Sequence, residues 1–171
     1  EKLELPIAMK PAQISNDGKL SSDGLLADTG FGQGQLLMSP IQQAISYSAF
    51  ANEGKLVYPK LTKNQETTDE KQVVTPESAN IVKKDMIQVV KNKNGSAHKL
   101  ADLSSPIAAK TGTAETKQLK NGNKETNGFL LAFNSEDSRY LMIALMEEGP
   151  SGDVVTAMKP FLEDVDKIVA K

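Results

Sequence analysis

At positions 107–115 the chain reads Ile-Ala-Ala-Lys-Thr-Gly-Thr-Ala-Glu, an apolar run that changes abruptly into Lys-Thr-Gly-Thr. Its length and composition predict a β-strand. Because a strand alternates its faces, Lys110 and Gly112 are predicted to point one way, while Thr111 and Thr113 point the other. Small residues beside one lysine and two hydroxyls suit the wall of a site that binds a carboxylate and a carbonyl group.

The chemistry of this segment makes up half of an acyl-transfer site. Gly112 has no Cβ, so a ligand backbone can lie close to the strand and exchange main-chain hydrogen bonds with it. The hydroxyls of Thr111 and Thr113 can donate to an anionic ligand, and Lys110 adds a positive field. The N–H of Thr113 can point at a carbonyl oxygen.

The same residues also fit a surface strand with a solvated lysine, because Lys-Thr-Gly is short and occurs often by chance. Glu115 likewise fits two roles, a carboxylate directed toward a cleft or an exposed strand residue. The segment by itself leaves both interpretations open.

The composition excludes several classes of function. With 171 residues and 39% hydrophobic content, the chain can form one domain with a core. A net charge of −2 and the absence of Trp offer no basic stripe for phosphates, so nucleic acid is not an expected partner. No Cys and one His leave only carboxylates as conceivable metal ligands. The acidic pairs at 136–137 and 147–148 are interpreted as solvated charge, so no metal and no cofactor are predicted.

No window of the sequence approaches the roughly 20 apolar residues of a membrane span. The first six residues, Glu-Lys-Leu-Glu-Leu-Pro, lack a basic start followed by an apolar block. Any targeting segment is therefore expected to lie outside this chain.

The first half of the chain reads as a loop followed by helices. Residues 1 to about 38 are interpreted as a loop, because every periodic run is interrupted by Pro6, Pro11, Gly18 or Gly24. Ser39-Pro40 supplies an N-cap and a first-turn proline for a core-facing helix that stops at Gly54. Thr75-Pro76-Glu77 opens a second helix after a polar connection.

The second half predicts a sheet and a closing helix. The strand candidates are Ile107 to Ala114, Phe129 to Asn134 and Arg139 to Met146. They are joined by turns at 121–123 and 134–137, which is typical of an antiparallel meander. Apolar positions from Val154 to Val169 predict an amphipathic helix, bent or restarted near Pro160. The predicted fold class is α+β, with at least three antiparallel strands flanked by helices.

The motifs and their order carry a family likeness. Gly32-Gln33-Gly34 leads to Ser39-Pro40 and a helix, and Lys110-Thr111-Gly112-Thr113-Ala114-Glu115 follows on a strand. The chain resembles the C-terminal part of the transpeptidase domain of class B penicillin-binding proteins, the enzymes that crosslink peptidoglycan. Segments 12–16 and 25–35 look most like the low-affinity, methicillin-resistance type. The resemblance implies a partial penicillin-binding or serine β-lactamase-like transpeptidase fold, in which 30–34 form a structural turn beside the cleft.

The resemblance implies a cleft lined by Ser-x-x-Lys, Ser-x-Asn and Lys-Thr-Gly motifs. In such sites the serine attacks a D-Ala-D-Ala carbonyl or a β-lactam, and the acyl-enzyme then passes to an amine. The implied catalytic residues are Lys110, at the cleft wall, and Thr113, whose N–H completes an oxyanion hole. The implied substrate-binding residues are Thr111, Gly112, Thr113 and Glu115, with the two threonines holding the carboxylate. The expected ligands are peptidoglycan stem peptides and β-lactams.

Two further motif matches are interpreted as accidental. Ser96 and Lys99 have Ser-x-x-Lys spacing, and Ser78 and Asn80 have Ser-x-Asn spacing. In the family the nucleophile precedes the Asn motif and opens a buried helix, whereas here the order is reversed. Residues 1–171 are therefore expected to be the C-terminal portion of a transpeptidase domain, with the nucleophile upstream. Alone, the chain is expected to form no acyl-enzyme.

The resemblance also implies a partner and a location. The chain is expected either to dock on the N-terminal half of the same protein or to self-associate, because the last strand would otherwise have a bare edge that invites pairing. The whole protein is expected at the outer face of the cytoplasmic membrane, held there by one upstream helix.

Other functions stay open at this point. A serine β-lactamase or a D,D-carboxypeptidase shares the same wall and differs in how water reaches the acyl-enzyme. A non-catalytic β-lactam sensor or cell-wall binding module would use the groove without turnover.

Overall fold

Four α-helices and five strands form the part of the chain that the computed structural model describes, residues 9–65, 70–118 and 124–169. The helices are α1 (Asp23–Gly30), α2 (Pro40–Ala51), α3 (Pro76–Lys91) and α4 (Ser151–Val169). The strands are β1 (Lys55–Leu56), β2 (Lys71–Gln72), β3 (Ile107–Gln118), β4 (Lys124–Asn134) and β5 (Leu141–Met146). The predicted α+β class is confirmed.

The main sheet is an antiparallel meander in the order β3-β4-β5. Ile107 lies opposite Asn134, and Gly128 lies between Thr113 on one side and Met146 on the other. Within the described residues, β3 and β5 are therefore the two edges of this sheet. The strand that carries the Lys-Thr-Gly-Thr segment has one side available for pairing.

Each face of the sheet is covered by helices. On one face, Ile107, Ala109 and Leu130 pack with the α4 residues Val154 and Leu162. On the other face, apolar side chains of the strands pack with those of α2 and α3: Ala108, Leu131, Phe133, Tyr47, Phe50 and Met86. Full burial of one such large side chain is worth about 1.5–3 kcal/mol. These buried contacts on both faces of the sheet hold β3 in place.

The predicted starts of α2 and α3 are confirmed by their caps. Ser39 Oγ accepts from Gln42 N, and the Gln42 side chain accepts from Ser39 N, which forms a capping box. Thr75 Oγ1 accepts from Ser78 N at the start of α3. Both caps satisfy backbone donors that the first helical turn leaves without partners.

Several boundaries differ from the sequence prediction. The expected loop 1–38 contains α1, because Ser22 Oγ accepts from Leu25 N and caps a short helix. Strand β3 extends beyond the predicted end at Ala114, and β4 begins before the predicted start at Phe129. Strand β5 starts at Leu141 and not at Arg139. The antiparallel pair of two-residue strands β1 and β2 was not predicted.

The two predicted turns and the closing helix have separate outcomes. The turn at 121–123 lies outside the described residues. At the second turn, Asn134 Oδ1 accepts from Glu136 N and Asp137 N. Of the two predictions for Pro160, a restart is wrong, because α4 runs through this residue as one helix with Pro160 on its exposed side, and a bend stays a prediction. Met158 and Leu162 pack on the sheet on either side of Pro160.

Candidate active site

Strand β3 carries the Lys-Thr-Gly-Thr segment with the predicted alternation of faces. Thr111 and Thr113 follow Ala109 on the face covered by α4. Lys110 and Gly112 follow Ala108 on the face covered by α2 and α3. The side chains of the two threonines and of Lys110 therefore leave this edge strand on opposite faces.

The outer edge of β3 presents backbone groups of Thr111 and Thr113. Lys110 Nζ donates to Thr111 O at 2.6 Å, and Gln33 Nε2 donates to Thr113 O at 3.2 Å. These contacts show that both carbonyls point away from β4. In an antiparallel pair the N–H of a residue points to the same side as its C=O. The N–H of Thr113 is thus directed outward, as the sequence predicts for a group that meets a carbonyl oxygen.

The Thr113 hydroxyl lies at the start of α4. Thr113 Oγ1 accepts from Ser151 N at 3.2 Å and is 3.2 Å from Ser151 Oγ. The N-terminus of a helix carries a partial positive charge. An anionic group bound at the exposed Thr113 hydroxyl would be stabilised by this partial charge and by the positive charge of Lys110 on the same strand.

Two glycines on neighbouring strands have different surroundings. A Cβ on Gly128 would lie 2.7 Å from the backbone of Pro150 and 2.7 Å from Val154 Cγ2, so α4 can dock there only against a glycine. A Cβ on Gly112 would meet Phe129 Cβ at an ordinary 3.7 Å, and no other described atom lies within 4 Å. Internal packing therefore requires Gly128 and leaves space at Gly112.

Thr111 is more enclosed than the sequence suggests. Its side chain is 8% exposed, and its Oγ1 shares a 2.7 Å hydrogen bond with Ser96 Oγ. Ser96 is held near the end of α3, where Ala97 N donates to Val89 O. The structure thus brings Thr111 to Ser96, and the predicted contact of Thr111 with a substrate carboxylate stays a prediction.

Lys110 and Glu115 complete the predicted set. Lys110 is exposed and its ammonium lies over the outer edge of β3. Glu115 is exposed on the same face as Thr113, where an irregularity in the β3–β4 register follows. The odd spacing places Glu115 and Lys110 on opposite faces.

The accidental motif matches do not form a serine–lysine pair. Ser96 Oγ contacts Thr111, whereas Lys99 Nζ donates to Thr156 Oγ1 at 2.7 Å. Ser78 lies in the first turn of α3, where its Oγ accepts from Thr75 Oγ1. Neither serine has a lysine as its hydrogen-bond partner in these contacts.

The described ranges contain no cluster of metal-binding side chains and no helix suited to span a membrane. No group of three or more His, Cys, Asp or Glu side chains within residues 9–65, 70–118 and 124–169 could hold a metal ion. None of the helices described there is long and apolar enough to cross a membrane. His98 is exposed, and its Nδ1 lies 2.9 Å from Val90 O.

The contacts of three residues with β3 were not predicted, although the turn that contains Gln33 was expected beside the cleft. The three residues are Gln33, Ser96 and Ser151, which contact Thr113 O, Thr111 Oγ1 and Thr113 Oγ1. The glycines on either side of Gln33 and the proline before Ser151 were available as local signals. Local signals mark turns and helix starts but do not say which distant strand they meet.

The sequence matches a known domain over most of its length. Residues 6–165 match the family model for the penicillin binding protein transpeptidase domain. Penicillin-binding protein 3 of Bacillus subtilis (strain 168) is 42% identical over 147 residues, which cover 84% of this chain and 21% of that protein. The chain thus spans about a fifth of the length of that relative.

Two solved structures of penicillin-binding proteins have a similar fold. The imipenem acyl-enzyme complex of penicillin-binding protein A from M. tuberculosis matches with a TM-score of 0.72 at 21% identity, over 97% of this chain and 38% of that chain. Pseudomonas aeruginosa PBP2 in complex with WCK 5153 matches with a TM-score of 0.68 at 26% identity, over 84% and 34%. These likenesses show a shared fold.

Proposed function

Because this chain belongs to the penicillin-binding protein transpeptidase family, as a class B member, we propose that it supplies one wall of a serine acyl-transfer site. The reaction is the crosslinking of peptidoglycan stem peptides, and β-lactams react at the same place. The main observation in support is the outward N–H of Thr113 on a strand edge, beside its own hydroxyl and Gly112. The methicillin-resistance type stays a prediction.

The nucleophile in this proposal comes from polypeptide that precedes residue 1. Its serine Oγ attacks the carbonyl carbon of the penultimate D-Ala, and a base takes the hydroxyl proton. The tetrahedral intermediate then expels the terminal D-Ala amine, which receives a proton, and leaves an ester on the enzyme. A second amine attacks this ester, so a new amide forms and the serine is released.

Thr113 stabilises the intermediate in this scheme. Its N–H donates to the developing oxyanion, together with the N–H of the nucleophile. Loss of one oxyanion-hole donor typically costs about 3–4 kcal/mol of barrier. Its hydroxyl, supported by Ser151 and the start of α4, receives the substrate carboxylate. Thr111 and Glu115 remain proposed neighbours of the bound substrate.

Lys110 provides positive charge at the wall. Its ammonium now donates to Thr111 O, and it must turn toward the Ser-x-Asn motif to take part in proton transfer. Gly112 leaves room beside Lys110 for the ligand main chain. These roles use only side chains and backbone, and the proposal includes no cofactor.

Fluorescent penicillin labelling of the full-length protein tests this function. We expect a covalent adduct that survives denaturation, and slower labelling of Thr113→Val, which keeps the N–H and loses the hydroxyl. Ser46→Ala is a matched control, because Ser46 Oγ is exposed and donates to Gln42 O within α2. No adduct, or equal rates for Thr113→Val and the unsubstituted protein, would contradict the assignment.

The fate of the adduct separates the related activities. Rapid hydrolysis indicates a β-lactamase, and release of D-Ala to water from a stem peptide indicates a carboxypeptidase. A stable adduct with no peptide turnover indicates a sensor or binding module. We expect a long-lived adduct together with transfer of the stem peptide to an amine. The anchor at the outer face of the membrane is proposed for the same upstream region.

A further inference from the structure

Gln33 reaches the strand edge from a distant turn. Its Nε2 donates to Thr113 O at 3.2 Å, across 80 positions of sequence. The turn is fixed at the end of α1, where Gln33 N donates to Asp28 O at 2.9 Å. Gly32 and Gly34 adopt φ of 86° and 71°, a region that favours glycine. The backbone therefore presents this half-buried side chain to β3.

The carbonyl oxygen of Thr113, which accepts from Gln33, is also an acceptor for the main chain of a ligand. Thr113 directs its C=O and its N–H to the same edge. A ligand that pairs with this edge accepts from Thr113 N–H and donates its own N–H to Thr113 O. A carbonyl oxygen can accept two hydrogen bonds, but Gln33 approaches Thr113 O from the outer side of β3, the side on which the ligand main chain would have to lie.

We propose that Gln33 is a placeholder donor, which satisfies Thr113 O in the free protein and which a ligand N–H must displace. This inference rests on the proposed function. Because displacement precedes bond formation, Gln33 opposes ligand binding and leaves the acylation step unchanged. A satisfied edge also resists pairing with unrelated strands. Gln33 is in this sense a positioning residue that acts through Thr113 and does not contact the reacting atoms.

The test separates binding from acylation in the full-length protein. Acylation by benzylpenicillin is measured over a range of concentrations, which gives the dissociation constant of the first complex and the rate of bond formation. Gln33→Met keeps the length of the side chain and removes the donor. We expect the dissociation constant to fall about 2- to 10-fold, the usual net effect of one hydrogen bond, with the acylation rate unchanged.

A second ligand checks the chemical basis of the effect. Penicillanic acid has the same fused rings as benzylpenicillin but lacks the acylamino group and its N–H. Gln33→Met is expected to leave the dissociation constant of penicillanic acid unchanged. An equal gain for both ligands would overturn the proposal, because the gain would not depend on the ligand donor.

Gln35→Met is the matched control in the same turn. Gln35 Oε1 accepts from Asn16 N at 2.8 Å, so this substitution perturbs the turn at a different contact. An equal gain with Gln35→Met would overturn the proposal in favour of general loosening. Gln33→Asn, one methylene shorter, should behave as Gln33→Met, and thermal melting verifies that each variant is folded.

The two proposals fail in different ways. If the unsubstituted protein is acylated and Gln33→Met binds benzylpenicillin no better, the placeholder role is wrong and the proposed function stands. If the unsubstituted protein forms no adduct, both proposals are wrong.

Discussion

Gly128 lies directly opposite Thr113 in the β3–β4 register, and the start of α4 packs on it so closely that a Cβ would be 2.7 Å from Pro150. The small residue on β4 thus lets Ser151 approach the Thr113 hydroxyl. Packing in the core and the geometry of the proposed site depend on the same glycine.

Gly128→Ala is expected to destabilise the fold. The new methyl group would overlap backbone atoms of Pro150, which cannot turn away as a flexible side chain can. Overpacking of this kind costs about 1–3 kcal/mol. Denaturant unfolding of the full-length protein measures this cost, and an unchanged midpoint would show that α4 is not docked as described.

Gly112→Ala is expected to leave the stability of the fold unchanged and to slow acylation. Its methyl group would make only an ordinary 3.7 Å contact with Phe129 Cβ, so the unfolding midpoint should stay close to that of the unsubstituted protein. The methyl group would project beside Lys110 where the ligand is proposed to lie, and acylation should slow about tenfold or more through misplacement. Normal labelling by penicillin would argue against a ligand beside Gly112 at the outer edge of β3.

The hydrogen bond between Ser96 and Thr111 predicts an asymmetric pair of variants. Ser96→Ala leaves the buried Thr111 hydroxyl without its partner, which costs about 1–3 kcal/mol. Thr111→Val removes the buried hydroxyl itself and leaves Ser96 to solvent, so it should cost less. The double variant should resemble Thr111→Val. Additive losses in a double-mutant cycle would indicate that the two hydroxyls are not coupled.

Tyr140 predicts a loss of stability at alkaline pH. Burial raises the pKa of Tyr140, and the bond that its hydroxyl donates to Asp166 Oδ1, at 2.7 Å, raises it further together with the Asp166 charge. The folded state therefore keeps a proton that the unfolded state loses above about pH 10. Stability is fully present below that pH and falls as the pH rises.

Tyr140→Phe tests the predicted fall of stability with rising pH. Asp166 is 4% exposed, and loss of its partner should lower the free energy of unfolding at pH 7 by about 1–3 kcal/mol. The difference between the variant and the unsubstituted protein should shrink from pH 9 to pH 11. If the free energy of unfolding of the two proteins changes with pH in parallel across this range, the contact with Asp166 does not raise the pKa of Tyr140.

Local sequence patterns were sufficient to predict the elements that bear the proposed site. The capping signals of α2 and α3 and the period of two in β3 act over a few residues, so the sequence displays them directly. Helix α1 was missed although Ser22 is a standard cap, because the surrounding prolines and glycines outweighed it.

Contacts between distant segments could not be predicted in this way. The bond from Gln33 to Thr113 and the bond between Ser96 and Thr111 depend on how two segments meet after the sheet has formed. Sequence spacing also gave no sign that Thr111 is buried whereas Thr113 is exposed. Both threonines lie on one face of β3, and the distant segments packed along that face, such as Ser96 against Thr111, decide which of the two is covered.

The central claim is that the outer edge of β3 borders the acyl-transfer site. A crystal structure of the full-length protein after reaction with benzylpenicillin tests it most directly. We predict an ester on a serine that precedes residue 1, with its carbonyl oxygen about 3 Å from Thr113 N and the penicilloyl carboxylate at Thr113 Oγ1. An adduct on Ser78 or Ser96, or one remote from β3, would contradict the account.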